Sequence, residues 1–411
     1  MLPENYEINL VQFLLNLSVS LDFSMFGLSN HHRRVALMSL QIGQAIDLDQ
    51  NDLFILFIAA IIHDAGAITW DDRQKLRQFD VTDPWQHCQR GYELLEGVQA
   101  IGLARKFISS HHDRWIGDNP SGYQAEEIPL ASRIIHLSDR IDVLCESDIF
   151  ILDQRNDVIK KINELSGKTF DPHLVTVFND LSKKEAFWLD LTSPWVEQRL
   201  FPLIPLNQTK LKIKDLMELA QIYARIVDSK SPFTHHHSRF IAILVRFLAK
   251  QVGFSPDELD LIEVAGLLHD LGKLAVSEEI IMKPGSLTEE EFNQIKQHTY
   301  YTYWLLKPAI PNLPLVEWAA YHHERIDGQG YPFKKSGNEL DIGSRLMSIA
   351  DIFTALREDR PYRKGLEWPA IESIIHKQVS SGAIDGELAS ILFENHSKID
   401  QLWEELLQSA N

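Results

Sequence analysis

His269-Asp270-Leu271-Gly272-Lys273 stands at the centre of a run from His237 to Asp351 that also carries His298, the pair His322-His323 and Asp351. All these side chains are hard or borderline metal ligands. A metal that activates water needs neutral imidazoles and carboxylates to converge while one coordination position stays open for water or substrate. Ligands this far apart in sequence converge when separate helices of a bundle deliver them, so the doublet points to a helical fold. Between the ligands lies Asp327-Gly328-Gln329-Gly330-Tyr331-Pro332, which reads either as a simple turn or as a substrate-facing loop beside two ligands.

The order His, His-Asp, His, His-His, Asp also occurs in the first half, as His32, His63-Asp64, His87, His111-His112 and Asp139. His32 to His63 is 31 residues and His237 to His269 is 32; His87 to His111 and His298 to His322 are each 24; His112 to Asp139 is 27 and His323 to Asp351 is 28. Repetition at this length means two duplicated domains, since solenoid units are much shorter. The chief difference is the step from His-Asp to the next His, 24 residues in the first unit and 29 in the second. There the second unit carries Lys283-Pro284-Gly285-Ser286-Leu287-Thr288, and Thr288 with Glu291 predicts a capping box. His31, His173, His235, His236, His376 and His396 are read as ordinary core or surface histidines.

Apolar residues recur at helical spacing from Glu7 to Phe26, and Gly27, Ser29 and Asn30 offer turn and N-cap chemistry after them. Leu53 to Ile62 predicts a buried helix leading into His63-Asp64-Ala65-Gly66. Gly167 to Pro172 reads as a turn before another helix. Pro194, Pro202 and Pro205 place the boundary between residues 193 and 210, giving domains 1–200 and 206–411, the second entered by a helix from about Lys210 to Asp228. Helical periodicity dominates and period-two alternation is scarce. The predicted fold is all-α, two tandem helical bundles.

A formal charge of -18 argues against a general nucleic-acid surface, so no polymeric nucleic-acid partner is expected and any anionic substrate must meet local cations. Two cysteines, Cys88 and Cys145, make a disulfide framework or a zinc-thiolate centre an unlikely design and favour a cytoplasmic setting. The densest apolar run is too short to span a bilayer, so no membrane insertion is expected. With imidazole and carboxylate ligands and no thiolate, iron or manganese suits the site better than structural zinc. Two such ions would suit phosphodiester cleavage, one activating water and both neutralising developing charge. Asp270 is placed to bridge them. Lys273 reads as a solvated helix residue or as a phosphate-holding cation.

The second unit resembles an HD-GYP domain, a branch of the HD phosphohydrolase superfamily, over roughly residues 210 to 400. The resemblance is carried by His237-Ser238-Arg239, His269-Asp270-Leu271-Gly272-Lys273, Lys283-Pro284-Gly285, His298, His322-His323-Glu324-Arg325, Asp327 to Pro332, Ala350-Asp351 and Arg360-Pro361-Tyr362-Arg363. It implies hydrolysis of cyclic di-GMP to linear pGpG, in some members onward to GMP, with 3'3'-cyclic GMP-AMP as the alternative substrate. It implies His237, His269, Asp270 and Asp351 on one ion, and His298, His322 and His323 on the other, with Asp270 bridging. Asp270 and Lys273 would be catalytic; Lys273, Arg325, Asp327, Gly328, Gly330, Tyr331 and Pro332 would meet the substrate. Phe233 stands where some members carry a glutamate for a third ion, so two ions are expected, and Thr354 stands where the family often has an aspartate.

The first unit resembles a plain HD domain. Its positions His32, His63, Asp64, His87, His111, His112 and Asp139 are filled, so a second metal site is expected there. Ala67 replaces the lysine, and Gly117 to Gln124 replaces the Gly-Tyr-Pro loop, which suggests a regulatory module or a phosphohydrolase for another substrate. Two similar bundles also allow a homodimer or an intramolecular pseudo-dimer. A nucleotide-binding scaffold without turnover is the non-enzymatic alternative.

Overall fold

A computed structural model describes all residues except 1–7, 24–29, 80–82, 100, 206–209, 231–235, 360–362 and 410–411. Gly27, Ser29, Phe233, His235 and Arg360-Pro361-Tyr362 therefore lie outside the described residues. The described chain is all-α, with two short strands, Ile8–Asn9 and Lys210–Leu211, paired antiparallel. No helix among the described residues is long and apolar enough to cross a membrane.

The chain divides into two compact units, one from Leu14 to Thr209, the other from Lys210 onward together with residues 8–13. The sequence boundary assigned those first residues to the N-terminal unit. The strand pairing of Ile8 with Leu211 and Asn9 with Lys210 draws them to the C-terminal one.

In the N-terminal unit the helices His31–Ala45, Gln50–Ile61 and Leu130–Leu144 surround the His/Asp cluster. Asp49 caps the second of these, accepting the backbone N–H groups of Asn51 at 2.9 Å and Asp52 at 2.8 Å. The run Leu53 to Ile62 is nearly all buried, so its helix ends inside the unit and delivers His63 and Asp64 away from water. Asn30 stands at the N-cap position of His31–Ala45 with φ of 64° and makes no side-chain cap bond, unlike the capping role its residue type suggests.

In the C-terminal unit, Ser255 and Glu258 form a capping box that opens the helix Pro256–Leu268. Gly266 in that helix lies against the helix His237–Gln251, where a Cβ would stand 2.6 Å from the Cα of Ala242. This close crossing brings His237, at the start of one helix, to His269, just past the end of the other, with ring centroids 5.4 Å apart. The predicted Thr288–Glu291 box forms and opens Glu289–Leu306, the helix that carries His298. Lys283, from the insertion, also binds Glu291 at 2.6 Å. The predicted entry helix begins at Ile213, because Lys210–Leu211 is taken by the strand. Each fully buried Leu, Ile or Phe of these helices stabilises the unit by roughly 1.5–3 kcal/mol.

Candidate metal centres and substrate groove

In the C-terminal unit, Asp270 is 2% exposed and is ringed by imidazoles. Its Oδ2 lies 3.2 Å from His269 Nε2 and 3.6 Å from His237 Nε2, while Oδ1 lies 3.5 Å from His298 Nε2 and 4.0 Å from His322 Nε2. The two oxygens therefore face two groups of ligands, as a bridging carboxylate would. Asp351 faces His237 through Oδ1 and His323 Nδ1 through Oδ2, each at 3.6 Å. His237, His269 and Asp270 form one compact set of donor atoms and His298, His322 and His323 another.

The rings are aimed by their own backbones. Nδ1 of His269, His298 and His322 bonds the carbonyl three residues earlier, Gly266 at 2.8 Å, Ile295 at 2.6 Å and Ala319 at 2.7 Å. Nδ1 carries the proton in each of these bonds, which leaves the Nε2 lone pair pointing into the site. His237 differs: its Nδ1 meets the carboxylate of Glu358 at 2.9 Å.

A divalent cation fits this donor set. His237 Nε2, His269 Nε2 and Asp270 Oδ1 are buried without a hydrogen-bond partner in the protein, an arrangement that is costly unless something positive meets them. Burial pushes His298 down to about 3 and, with the charge of His323, holds His322 well below its ordinary value, so both rings are neutral ligands at neutral pH. Burial opposes ionisation of Asp270, but His269 and Lys273 outweigh it and hold the carboxyl well below the usual range. Burial likewise disfavours a charged His237, yet Glu358 and Asp351 push that ring up to about 10.

Lys273 places its ammonium on Asp270 Oδ2, on the rim of the cluster. Beyond the cluster a groove of about 650 Å³ opens at His323. Its walls carry the aromatic rings of Phe292, Tyr300 and Tyr331 and the cations Lys296, Arg325 and Lys334, together with Gly330 and Pro332. Of the loop expected to face substrate, Arg325, Gly330, Tyr331 and Pro332 line this groove. Asp327 and Gly328, expected to bind substrate, do not line it: Asp327 is turned to Arg325 Nε at 3.1 Å and to the Gln329 N–H at 2.9 Å, shaping the loop from within.

Two residues hold this wall, Glu324, which had no expected role, and Gly330, which was expected only to meet substrate. Glu324, buried, accepts the backbone N–H groups of Phe333 at 2.6 Å and Lys335 at 3.0 Å. Gly330 packs on the backbone that precedes it, where a Cβ would stand 2.4 Å from Arg325 N. Glu324 sits in the His322-His323-Glu324-Arg325 motif, and a carboxylate beside a ligand pair is the signal that marks it.

The N-terminal unit gathers a similar cluster. Asp64 Oδ1 lies 3.2 Å from His87 Nε2 and 3.4 Å from His111 Nε2, and Oδ2 lies 3.2 Å from His63 Nε2. His63 and His111 bond the carbonyls of Ala60 at 2.9 Å and Ile108 at 2.7 Å, the same backbone aiming as in the other unit. Both Asp64 oxygens, Asp139 Oδ1 and His112 Nε2 are buried without a hydrogen-bond partner, so a cation fits here too.

The first ligand position needs a correction. His31, not His32, enters the cluster, with Nε2 3.4 Å from both His63 Nε2 and Asp139 Oδ1. His32 turns aside to Asp22, whose Oδ1 holds its Nδ1 at 2.6 Å. The counterpart of His32 is Ser238, which bonds Asp228 across the same ten-residue interval at 2.7 Å. The signal was available: His31 to His63 is 32 residues, as is His237 to His269. Consecutive helical residues point about 100° apart, so only one of two adjacent histidines can face the ligands.

The units differ around the cluster. Ala67, buried, stands where Lys273 does. Arg140 holds Asp139 Oδ2 at 2.7 Å, whereas Asp351 Oδ2 faces His323. The space beside His112 is a cavity of about 230 Å³ lined by Phe79, Pro84, Arg114, His136, Arg140 and Thr169. Cys88, absent from the sequence-derived ligand set, lies 3.5 Å from His111 Nδ1, the edge of that ring already bonded to Ile108.

Family models described as HD domain match residues 28–144 and 221–388, one on each unit. The 3'3'-cGAMP-specific phosphodiesterase 1 of Vibrio cholerae is 32% identical, over 97% of this chain and 94% of that protein. The cyclic di-GMP phosphodiesterase response regulator RpfG of Xanthomonas campestris is 30% identical over 50% of this chain and 54% of its own length. Among solved structures, that of the cyclic GMP-AMP specific phosphodiesterase V-cGAP3 of V. cholerae covers 95% of this chain and 98% of its own, with a TM-score of 0.68 at 26% identity. With a cation-fitting His/Asp cluster in each unit, an HD match on each and a relative that spans both, the chain belongs to the HD-domain family of cyclic-dinucleotide phosphodiesterases.

Proposed function

We propose that residues 206–411 form the catalytic domain and hydrolyse a 3',5'-linked cyclic dinucleotide to the linear dinucleotide. The observation that carries this reading is the shared residue His323. Its Nδ1 faces Asp351 in the His/Asp cluster, and its ring also lines the aromatic, cation-bearing groove. A cyclic dinucleotide offers two bases for ring faces and two phosphates for cations. Such a groove supplies both within a chain of net charge -18.

Two divalent first-row ions, iron or manganese, would be held by His237, His269, Asp270 and Asp351 and by Asp270, His298, His322 and His323. When bound they supply Lewis acidity and an activated water. Lys273, released from Asp270 to a phosphate oxygen, would steady charge on the scissile group, with Arg325 steadying the second phosphate. Tyr331 packs 4.9 Å from the His323 ring, placing a base-sized surface next to the ligands.

Cyclic di-GMP is the first reading of the substrate. A second, 3'3'-cyclic GMP-AMP, is supported by the relative that matches across both units and carries that specificity in its name. Parallel rates on the two nucleotides with anaerobic, iron- or manganese-loaded protein decide between them, and failure to cleave either would sink the reading. Loss of turnover in Asp270→Ala with the fold retained separates an enzyme from a nucleotide-binding scaffold. Residues 1–200 are read as a metal-binding regulatory domain, since they lack the counterpart of Lys273. We place the protein in the cytoplasm on its free thiols Cys88 and Cys145 and its want of a membrane-spanning helix among the described residues. A homodimer and an intramolecular pairing of the repeats remain two readings of assembly, which the solution mass distinguishes.

A further inference from the structure

We propose that Glu358 is a positioning residue of the C-terminal site, a relocated carboxylate that fixes the His237 ring for its ion. The inference rests on the reading of that cluster as a metal centre.

The repeat shows what has moved. In the N-terminal unit, Asp142 stands three residues after Asp139 and takes His31 Nδ1 at 2.7 Å. At the matching place in the C-terminal unit stands Thr354, fully buried, whose hydroxyl donates to its own helix at Ala350 O, 2.8 Å away. Thr354 offers His237 no carboxylate. Glu358, one helical turn further on, reaches back instead, and its longer side chain sets Oε2 2.9 Å from His237 Nδ1.

The backbone around Glu358 is built to keep it there. It follows directly on the helix Ile342–Arg357 and donates its N–H to Thr354 O at 3.0 Å. Arg363 then folds back on the helix end, binding the carbonyls of Ala355 at 2.6 Å and Leu356 at 3.0 Å. Gly365 passes so close to this end that a Cβ would stand 2.0 Å from Arg357 O. His269, His298 and His322 instead give Nδ1 to carbonyls. A carboxylate partner does more than a carbonyl: it fixes the tautomer and also makes Nε2 a stronger donor to a cation.

The test is Mn(II) affinity of the full-length protein, measured by titration for the wild type, E358A, E358Q and the pair T354D/E358A. Loss of such a partner weakens a metal site by roughly 10–100-fold. E358A is expected to weaken one class of sites by that factor, with KM for nucleotide unchanged once Mn(II) is saturating. T354D/E358A, which returns the carboxylate to the place it holds in the other unit, is expected to recover most of the affinity. Unchanged affinity in E358A overturns the proposal. So does a weakened E358A that T354D fails to rescue, since the loss would then lie in packing. If E358A does not fold, the isosteric E358Q takes its place, and wild-type affinity there is the overturning result. A wild type that binds no Mn(II) overturns the metal reading itself, and this inference with it.

Discussion

Gly272 lies against the carbonyl of His298 so closely that a Cβ at Gly272 would stand 2.0 Å from that oxygen. Gly66 and the carbonyl of His87 repeat the relationship in the other unit at 2.1 Å. In each unit the chain after the His-Asp doublet and the helix bearing the next histidine approach to backbone contact. In the C-terminal unit that approach sets how far Asp270 stands from His298. Gly272→Ala is therefore expected to destabilise the unit by about 1–3 kcal/mol and to push His298 away from Asp270. A lowered denaturant midpoint together with loss of turnover checks it; a variant of wild-type stability and rate would show that the contact is dispensable.

Lys273 meets the cluster at Asp270 Oδ2 and is itself a cation, not a metal ligand. Lys273→Ala should lower kcat by about 100-fold, the usual cost of removing one preorganised cation or donor from a developing oxyanion, while metal content stays at the wild-type level. Metal analysis beside single-turnover rates reads both quantities. Equal losses of metal and rate would mean that the ammonium serves the cluster and not the phosphate.

The groove predicts a split in kinetic constants. Phe292 and Tyr300 are large and exposed, at 42% and 46%, and both line the groove. Replacing either by Ala should raise KM by about tenfold, at the lower end of the 1–3 kcal/mol that a stacked base contributes, with kcat little changed. Steady-state kinetics on both cyclic dinucleotides measure this, and a rise confined to one of them would mark the ring as part of base selection.

Adjacent histidines give a sharp contrast in the N-terminal unit. His31→Ala should lower metal affinity there by at least tenfold, because His31 Nε2 is directed at Asp139 and His63. His32→Ala should leave that affinity nearly intact and cost stability through its lost bond to Asp22. Titration of the two variants side by side, with turnover by the C-terminal unit as the control, distinguishes them; the reverse pattern would restore His32 as the ligand.

Much of this was legible in the residues. The all-α fold followed from helical periodicity, and the gathering of the C-terminal His/Asp side chains into one cluster from their order. What the sequence obscured were matters of direction. The choice between His31 and His32 depends on the rotation of one helix, and only the interval to His63 betrays it. The resemblance implied a substrate contact for Asp327, but no linear reading showed that its carboxylate bonds Arg325 and the Gln329 N–H inside its own loop. Glu358 carried no signal, because nothing in a linear reading ties a carboxylate to a ring 121 residues away.

The backbone bonds that aim His269, His298 and His322 come from each ring's own preceding turn. A cage held in that way should survive emptying and refilling, so exchange of one divalent ion for another need not unfold the bundle. Which ion fills it would then depend on supply. Breakdown of the messenger would then vary with the divalent ion that fills the cage as well as with nucleotide concentration. Turnover assayed after exchanging iron for manganese and back, without refolding, shows whether the cage behaves this way; a loss that refilling does not reverse would refute it.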